Sequence, residues 1–389
     1  MNICKKIKDM RRYDLDWLRV IVFGLLIFYH VAMFFVPDWE WHIKNNITYE
    51  WIKYPMLLLN IWRLPILFVI SGMGTWYALS KRSGTQFAFE RIKKLFLPLV
   101  FGMLVIVPPQ VYIEKLVNGK ANGSYLDFWP SQSFVGTYPV GNLSWHHLWF
   151  LPYLLLFSLV LIPIFLYLRK NPDNIVYRMT SKMCTTPFGL YWFVLPLYIC
   201  EAFIEPFFDA THALVGDWFV ICNSIILFFI GFILIATQDK FWTVVEQNKT
   251  KYLKCGIVGF TLFLLMVNNF EDSYIRHFTE AFIMVATFWS FILAIFGYAC
   301  KYLNKPSKTL EYCNEAVYPF YILHQTVTVI LGYFIMNLDW NFFYKFSLLS
   351  IGTFLISWFI YEFLIRRWLL IRPLFGLKYK KNSKIQSSL

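Results

Sequence analysis

Two ionisable residues stand in the first apolar run of the chain, RRYDLDWLRVIVFGLLIFYHVAMFF at residues 11 to 35: Arg19 and His30. A histidine titrates near neutrality and exchanges a proton at ordinary pH, which is what a general base needs. An arginine stays charged and grips phosphate or carboxylate through a planar fork. On a helix, their separation of eleven residues amounts to about 1100°, roughly 20° past three turns, with a rise of about 16 Å. Both side chains therefore point the same way, at two depths.

Ionisable groups inside a span are costly and face a cavity or one another. Reading depth along successive spans places Arg63, in NIWRLPILFVISG, level with His30. His146, His147, Glu201, Glu205, His277 and Glu280 fall in the same half or at its rim. Asp16, Arg19, His324 and Glu362 fall in the opposite half, with Arg91 at the mouth of the third span. Two polar layers about 16 Å apart imply a passage or a two-substrate site. Simpler readings stay open: Arg19 as a snorkelling cation, His30 as a hydrogen-bonding partner of a neighbouring helix, and His147 as an interfacial histidine among aromatics. Glu362 and Arg366, four apart, read as a local ion pair.

The elements that carry these residues follow from composition. The 389 residues are 58% hydrophobic and 21% aromatic, with a mean hydropathy of +0.52, against about 45–50% apolar for a soluble domain. Apolar runs of about 20 residues recur from end to end, so the fold class is all-α, a polytopic transmembrane helical bundle. Ten spans are expected near 15–36, 55–79, 95–113, 148–168, 188–206, 214–236, 253–270, 279–300, 316–337 and 343–368.

The net charge of +13 is distributed by topology. With ten spans, 28 of the 36 Lys and Arg fall on the side of the termini, 6 on the other, and Arg19 and Arg63 within spans. That asymmetry predicts both termini in the cytoplasm and excludes a nucleic-acid footprint. The first apolar run is too long for a signal-peptide core and is expected to remain as an anchor in the cell membrane.

Residues 1–14 read as a basic cytoplasmic segment, 15–370 as one membrane domain without internal repeats, and 371–389 as a basic, disordered tail. The loops PDWEWHIKNNITYEW and EKLVNGKANGSYLDFWPSQSFVGTYPVGNLSWHHLWF mix aromatics with Asn, Asp and Gln. Such loops suit an interfacial belt and, as a second reading, stacking on sugar rings. Seven cysteines without C-x-x-C pairing suit neither a zinc site nor a disulfide frame, so no metal is expected; the thiols read as small apolar residues.

LDWLR followed by ten residues and His30 resembles the Arg-X10-His signature of the acyltransferase-3 family. WRLPILFVISGMGTWYAL, FERIKKLFLPLVFGMLVIVPPQVYIE and YPFYILHQ are similar to its second-helix, third-helix and late Tyr-x-Leu-His segments. SWHHLWFLPYLL and VPPQVYIE resemble a glucan-biosynthesis branch of that family. The resemblance covers nearly the whole membrane domain; unlike in many members, no fused soluble esterase-like domain is expected.

The resemblance implies transfer of an acyl group, acetyl or succinyl, to a hydroxyl of an extracytoplasmic glycan. It implies acyl-CoA as co-substrate and no permanently bound cofactor. The expected partners are the lipid bilayer, the donor on the cytoplasmic side and a carbohydrate acceptor outside. In this scheme His30 is the general base or a transient acyl carrier, Arg63 stabilises the oxyanion, and His147 meets the incoming acceptor. Arg19 and Arg91 bind the donor's phosphates, His324 lies on the donor path, and Glu201 is a substrate-side candidate. Two rivals are a transporter or flippase for a glycan or acylated substrate, and another polytopic acyltransferase type with a buried histidine. The spacing within the first helix favours acyltransferase-3.

Overall fold

The structure, a computed structural model, describes residues 11–237 and 239–379. Most of the basic N-terminal segment and the end of the basic tail lie outside the described residues. The long helices are α1 Tyr13–Met33, α2 Lys53–Leu79, α3 Gly84–Val117, α4 His146–Val160, α5 Ile162–Lys170, α6 Gly189–Phe207, α7 Trp218–Ala236, α8 Asp239–Asn269, α9 Tyr274–Tyr302, α10 Lys308–Ile335 and α11 Phe342–Ile365. Among the described residues there is no strand, only an isolated bridge between Thr137 and Leu143.

Local chemistry explains several of these bounds. Asp14 and Asp16 lie in the first turn of α1, where carboxylates complement the helix dipole. Asn341 caps α11 by accepting from the Tyr344 backbone N–H at 3.1 Å. In α3 two π segments, Ile92–Phe96 and Gly102–Ile106, each end two residues before a proline, Pro98 and Pro108 of the Pro108–Pro109 pair. Proline lacks an N–H and crowds the preceding turn, and the widened ladder accommodates it. α4 and α5 meet at a bend of 48°, next to Pro163 in the first turn of α5.

The chain divides into two compact units that interleave in sequence, where the sequence predicts one membrane domain. The first holds the described residues up to Val22, then Leu57–Phe87 and Phe157–Asn314. In it α2 and α7 cross at reciprocal glycines: a Cβ on Gly72 would strike the Phe228 carbonyl, and one on Gly231 the Val69 carbonyl. Small residues let helix backbones approach where lipid supplies no hydrophobic drive between them. The second unit holds Phe23–Met56, Ala88–Leu156 and, among the described residues, 315–379. Its core includes the buried face of α10, with Ile322, His324, Gln325 and Val329 all inaccessible.

Among the described residues eight helices are long and apolar enough to cross a membrane, nine if the α4–α5 pair counts as one span. The remaining expected span, at 316–337, is α10. It has 28 residues, but His324, Gln325, Thr326 and Thr328 dilute its apolar character and it falls outside that set. Of the tail expected from 371 onward, residues 371–379 are described and 380–389 lie outside the described residues. Arg372–Phe375 form a 3₁₀ turn, and the Arg372 side chain is buried against Glu315 at 2.9 Å.

Candidate functional site: a histidine cluster and a basic cavity

The last turn of α1 carries His30, the middle of α10 carries His324, and the turn that opens α4 carries His147. The second unit brings the three together. His30 Nδ1 lies 2.7 Å from His324 Nε2, and the His147 and His324 rings meet edge to face at 5.2 Å. The sequence alone predicts His324 at the other depth from His30. α10 starts at Lys308, eight residues before the expected 316, so His324 sits further along its helix than assumed and reaches the end of α1.

The neighbours fix the proton positions, because carbonyl oxygens only accept and amide nitrogens only donate. His324 Nδ1 is 2.8 Å from the Tyr321 carbonyl, so Nδ1 carries the proton and Nε2 accepts. His30 Nδ1 must then donate to it, which leaves the lone pair of His30 on Nε2. His147 Nε2 donates to the Ile322 carbonyl at 3.0 Å, and Gln110 Nε2 approaches its Nδ1 at 3.4 Å. Both ring nitrogens of His147 are engaged, and the Tyr321 hydroxyl donates to its backbone carbonyl at 2.6 Å. His147 is thus built as a positioning residue. The indole of Trp41, from the loop after α1, lies 5.2 Å from the His30 ring, and its Nε1 is buried without a hydrogen-bond partner.

A polar network leads away from this cluster. Gln110 donates to Thr326 Oγ1 at 2.6 Å, and Gln325 donates to Gln110 Oε1 at 3.0 Å and to His42 Nε2 at 2.9 Å. His42 Nδ1 in turn sits 2.5 Å from Glu114 Oε2, and one donor atom from each of His42, Glu114 and His146 lies within 4.8 Å of the others. The spacing of the cysteines predicts no metal ligands. This cluster instead draws on three segments far apart in sequence.

Arg19 lines a cavity of 440 Å³ in the first unit together with Arg11, Arg12, Lys81, Arg82, Asp16 and Tyr77. Its guanidinium meets Asp16 at 3.5 Å and Asn314 Oδ1 at 3.3 Å. Arg12 is held by Asp14 and lies over the Trp242 ring at 3.7 Å. Five cations around one cavity, counted among the described residues, with Asp16 as a partial counterweight, make an anion-binding surface.

The remaining expected residues lie elsewhere. Arg63 is buried on α2, 2% exposed, in the first unit. Arg91 is partly exposed in the second unit, one residue before the first π segment. Glu201 and Glu205 both line another cavity, of 750 Å³, in the first unit, with Arg276, His277 and Glu280. Glu362 and Arg366 pair through both carboxylate oxygens, at 3.0 and 2.9 Å.

Sequence reasoning missed His42, Gln110, Glu114, Trp41 and Gln325 as members of one network. HHLW and LHQT marked two of the segments, but nothing in the chain order links them to the loop after α1.

The acyltransferase-3 family, described as Acyltransferase domain, matches residues 12–362. The chain is also similar to glucans biosynthesis protein C of Escherichia coli strain SMS-3-5 / SECEC and of strain K12. Each is 21% identical over 333 residues, 84% of this chain and 84% of the relative.

Proposed function

From the premise that this chain belongs to the acyltransferase-3 family of membrane acyltransferases, we propose that it moves an acetyl or succinyl group from acyl-CoA to a hydroxyl of an extracytoplasmic glycan. The observation that carries the reading is the His30–His324 pair, in which His324, anchored on a backbone carbonyl, fixes the tautomer of His30. A base oriented by a third group is the general arrangement of activated acyl-transfer sites.

In the proposed step His30 Nε2 takes the proton of the acceptor hydroxyl as its oxygen attacks the thioester carbon. The new C–O bond forms, the C–S bond breaks, and the imidazolium returns its proton to the leaving thiolate. No redox change occurs. His324 shares the charge on His30 while it is doubly protonated. Arg63 is the proposed oxyanion donor, and His147 holds His324 in place from the side.

The donor's phosphates suit the basic cavity around Arg19, and Arg91 is a further proposed phosphate contact. The acceptor suits the end of α1 that carries His30, where Trp41 offers an indole face and a buried N–H for a sugar. Glu201 is retained as a substrate-side candidate in its own cavity. The asymmetry of Lys and Arg supports termini in the cytoplasm of a cell-membrane protein, and with them a donor-side role for Arg19. The name of the relatives, glucans biosynthesis protein C, supports a glucan as acceptor.

The test is mass spectrometry of the extracytoplasmic glycan fraction from cells lacking the protein, complemented with wild type or His30→Ala at matched membrane levels. The expected result is an acetyl or succinyl increment restored by wild type only. Full restoration by His30→Ala makes the histidine structural. No increment under any condition overturns the acyl-transfer reading for glycans.

A further inference from the structure

We propose that His42, Glu114 and His146 form a binding site for one divalent cation of the zinc class. His42 comes from the loop after α1, Glu114 from the last turns of α3, and His146 from the first residue of α4, all within the second unit. One donor atom from each lies within 4.8 Å of the others, with no chain segment of the three adjacent in sequence.

The donor set selects the ion. Two imidazole nitrogens and one carboxylate oxygen suit a borderline cation such as Zn²⁺ or Co²⁺, whereas Mg²⁺ and Ca²⁺ require oxygen ligands throughout. Three protein ligands leave a fourth position open for water or a substrate oxygen. Burial also points to a ligand. The His42 and Glu114 side chains are 7% and 15% exposed, and His146 Nε2 is buried with no hydrogen-bond partner. A buried lone pair or N–H left without a partner is disfavoured, and a cation satisfies it. Surrounding groups orient the ligands: the Tyr138 hydroxyl donates to Glu114 Oε1 at 3.1 Å, and the Gln325 amide meets His42 Nε2 at 2.9 Å.

The proton balance is specific. Without a cation, His42 Nδ1–H donates to Glu114 Oε2 at 2.5 Å while Nε2 accepts from Gln325. Coordination through Nδ1 moves that proton to Nε2, and the Gln325 amide turns so that its oxygen accepts it. This also removes the Gln325 donor from Gln110, the residue that contacts His147. Cation binding here is independent of the acyl-transfer reading and stands or falls separately.

The experiment uses the full chain, purified in detergent, freed of any affinity tag and stripped with EDTA. Zn²⁺ and Co²⁺ are added singly, and metal content and the Co²⁺ visible spectrum are read after dialysis. The expected result is one ion per chain, with the intense visible bands of four- or five-coordinate Co²⁺. Glu114→Gln and His146→Gln should abolish stoichiometric retention, and Tyr138→Phe should weaken it by roughly 10–100-fold. His277→Gln, a histidine of the first unit that is no member of the cluster, should retain one ion. If a ligand variant does not fold, the Co²⁺ spectrum of wild type still decides: a pale, six-coordinate spectrum overturns the proposal. So does wild type that retains no ion, or ligand variants that are folded and retain as much as wild type.

Discussion

His30 on α1 and His324 on α10 are nearly 300 residues apart in sequence, yet their ring nitrogens lie 2.7 Å apart with the ring planes within 5°. The direction of that hydrogen bond is set by the Tyr321 carbonyl on the far side of His324. One backbone oxygen thus determines which nitrogen of His30 holds a lone pair.

Removing that control should cost turnover rather than binding. His30→Ala should lower kcat by about 10²–10⁴, the usual worth of a general base. His324→Ala should lower it by roughly 10–100-fold with KM for either substrate unchanged, and should move the acidic limb of the kcat/KM pH profile. An unshifted profile at wild-type rate would make His324 a packing residue only.

His147 should behave differently, since both of its nitrogens are engaged. Gln110→Ala removes the amide at its Nδ1 and the partner of Gln325, leaving buried groups unpaired at about 1–3 kcal/mol. The expected outcome is a lower melting temperature and a modest loss of kcat, with the pH profile kept. A displaced pH limb in Gln110→Ala would instead assign the base to His147.

The helices of this protein were legible in the sequence because hydropathy acts over a local window, and the burial of Arg63 and His324 because each stands within an apolar run; the buried Lys345 and Arg372, at or beyond the ends of such runs, were not. Arg19 and His30 are expected on one helix, and α1 carries both. Residues from different helices are a different matter. His42 lies in a loop, Glu114 on α3 beyond a π segment whose length no periodicity predicts, and Gln325 on a helix whose start was placed eight residues late. Their meeting depends on helix packing, which sequence spacing does not encode. The same ambiguity separates His324 from His30 in a reading of the sequence, whereas their rings are in contact.

The basic cavity around Arg19 makes a prediction about substrate length. Lys81→Glu and Arg82→Glu remove two of its five cations and add two anions. If the donor's phosphates sit there, each change should raise KM for acyl-CoA by about tenfold, the scale of one charge-assisted contact. KM for an acylated pantetheine, which lacks those phosphates, should not change. Equal effects on both donors would remove the cavity from the donor site.

Gly231 tests the crossing of α2 and α7. A Val at this position would drive its side chain into the Val69 carbonyl, a backbone atom that cannot rotate away. Gly231→Val should therefore cost about 1–3 kcal/mol or more through forced separation of the helices. The check is the melting temperature in detergent, with Gly24→Ala, where a Cβ meets nothing within 4 Å, as the tolerated comparison. Equal stability of the two variants would contradict the close approach.

Lys44, in the loop after α1, gives a pH dependence with a definite sign. Its Nζ donates to the Met33 and Val36 carbonyls at 2.9 and 2.7 Å, which ties the loop to the end of α1. Burial lowers its pKa from 10.5 to about 8, and Asp38 opposes the shift only in part. An unfolded chain keeps this ammonium protonated up to about 10.5, whereas the folded chain releases the proton near 8. The unfolded state therefore binds more protons between these values, and stability must rise with pH across the window. Below about 8 the folded state carries the unfavourable buried charge in full. Melting temperatures from pH 7 to 10 should climb more steeply for wild type than for Lys44→Met, which has nothing to titrate there. Parallel curves would show that the carbonyls stabilise the ammonium enough to cancel the effect of burial.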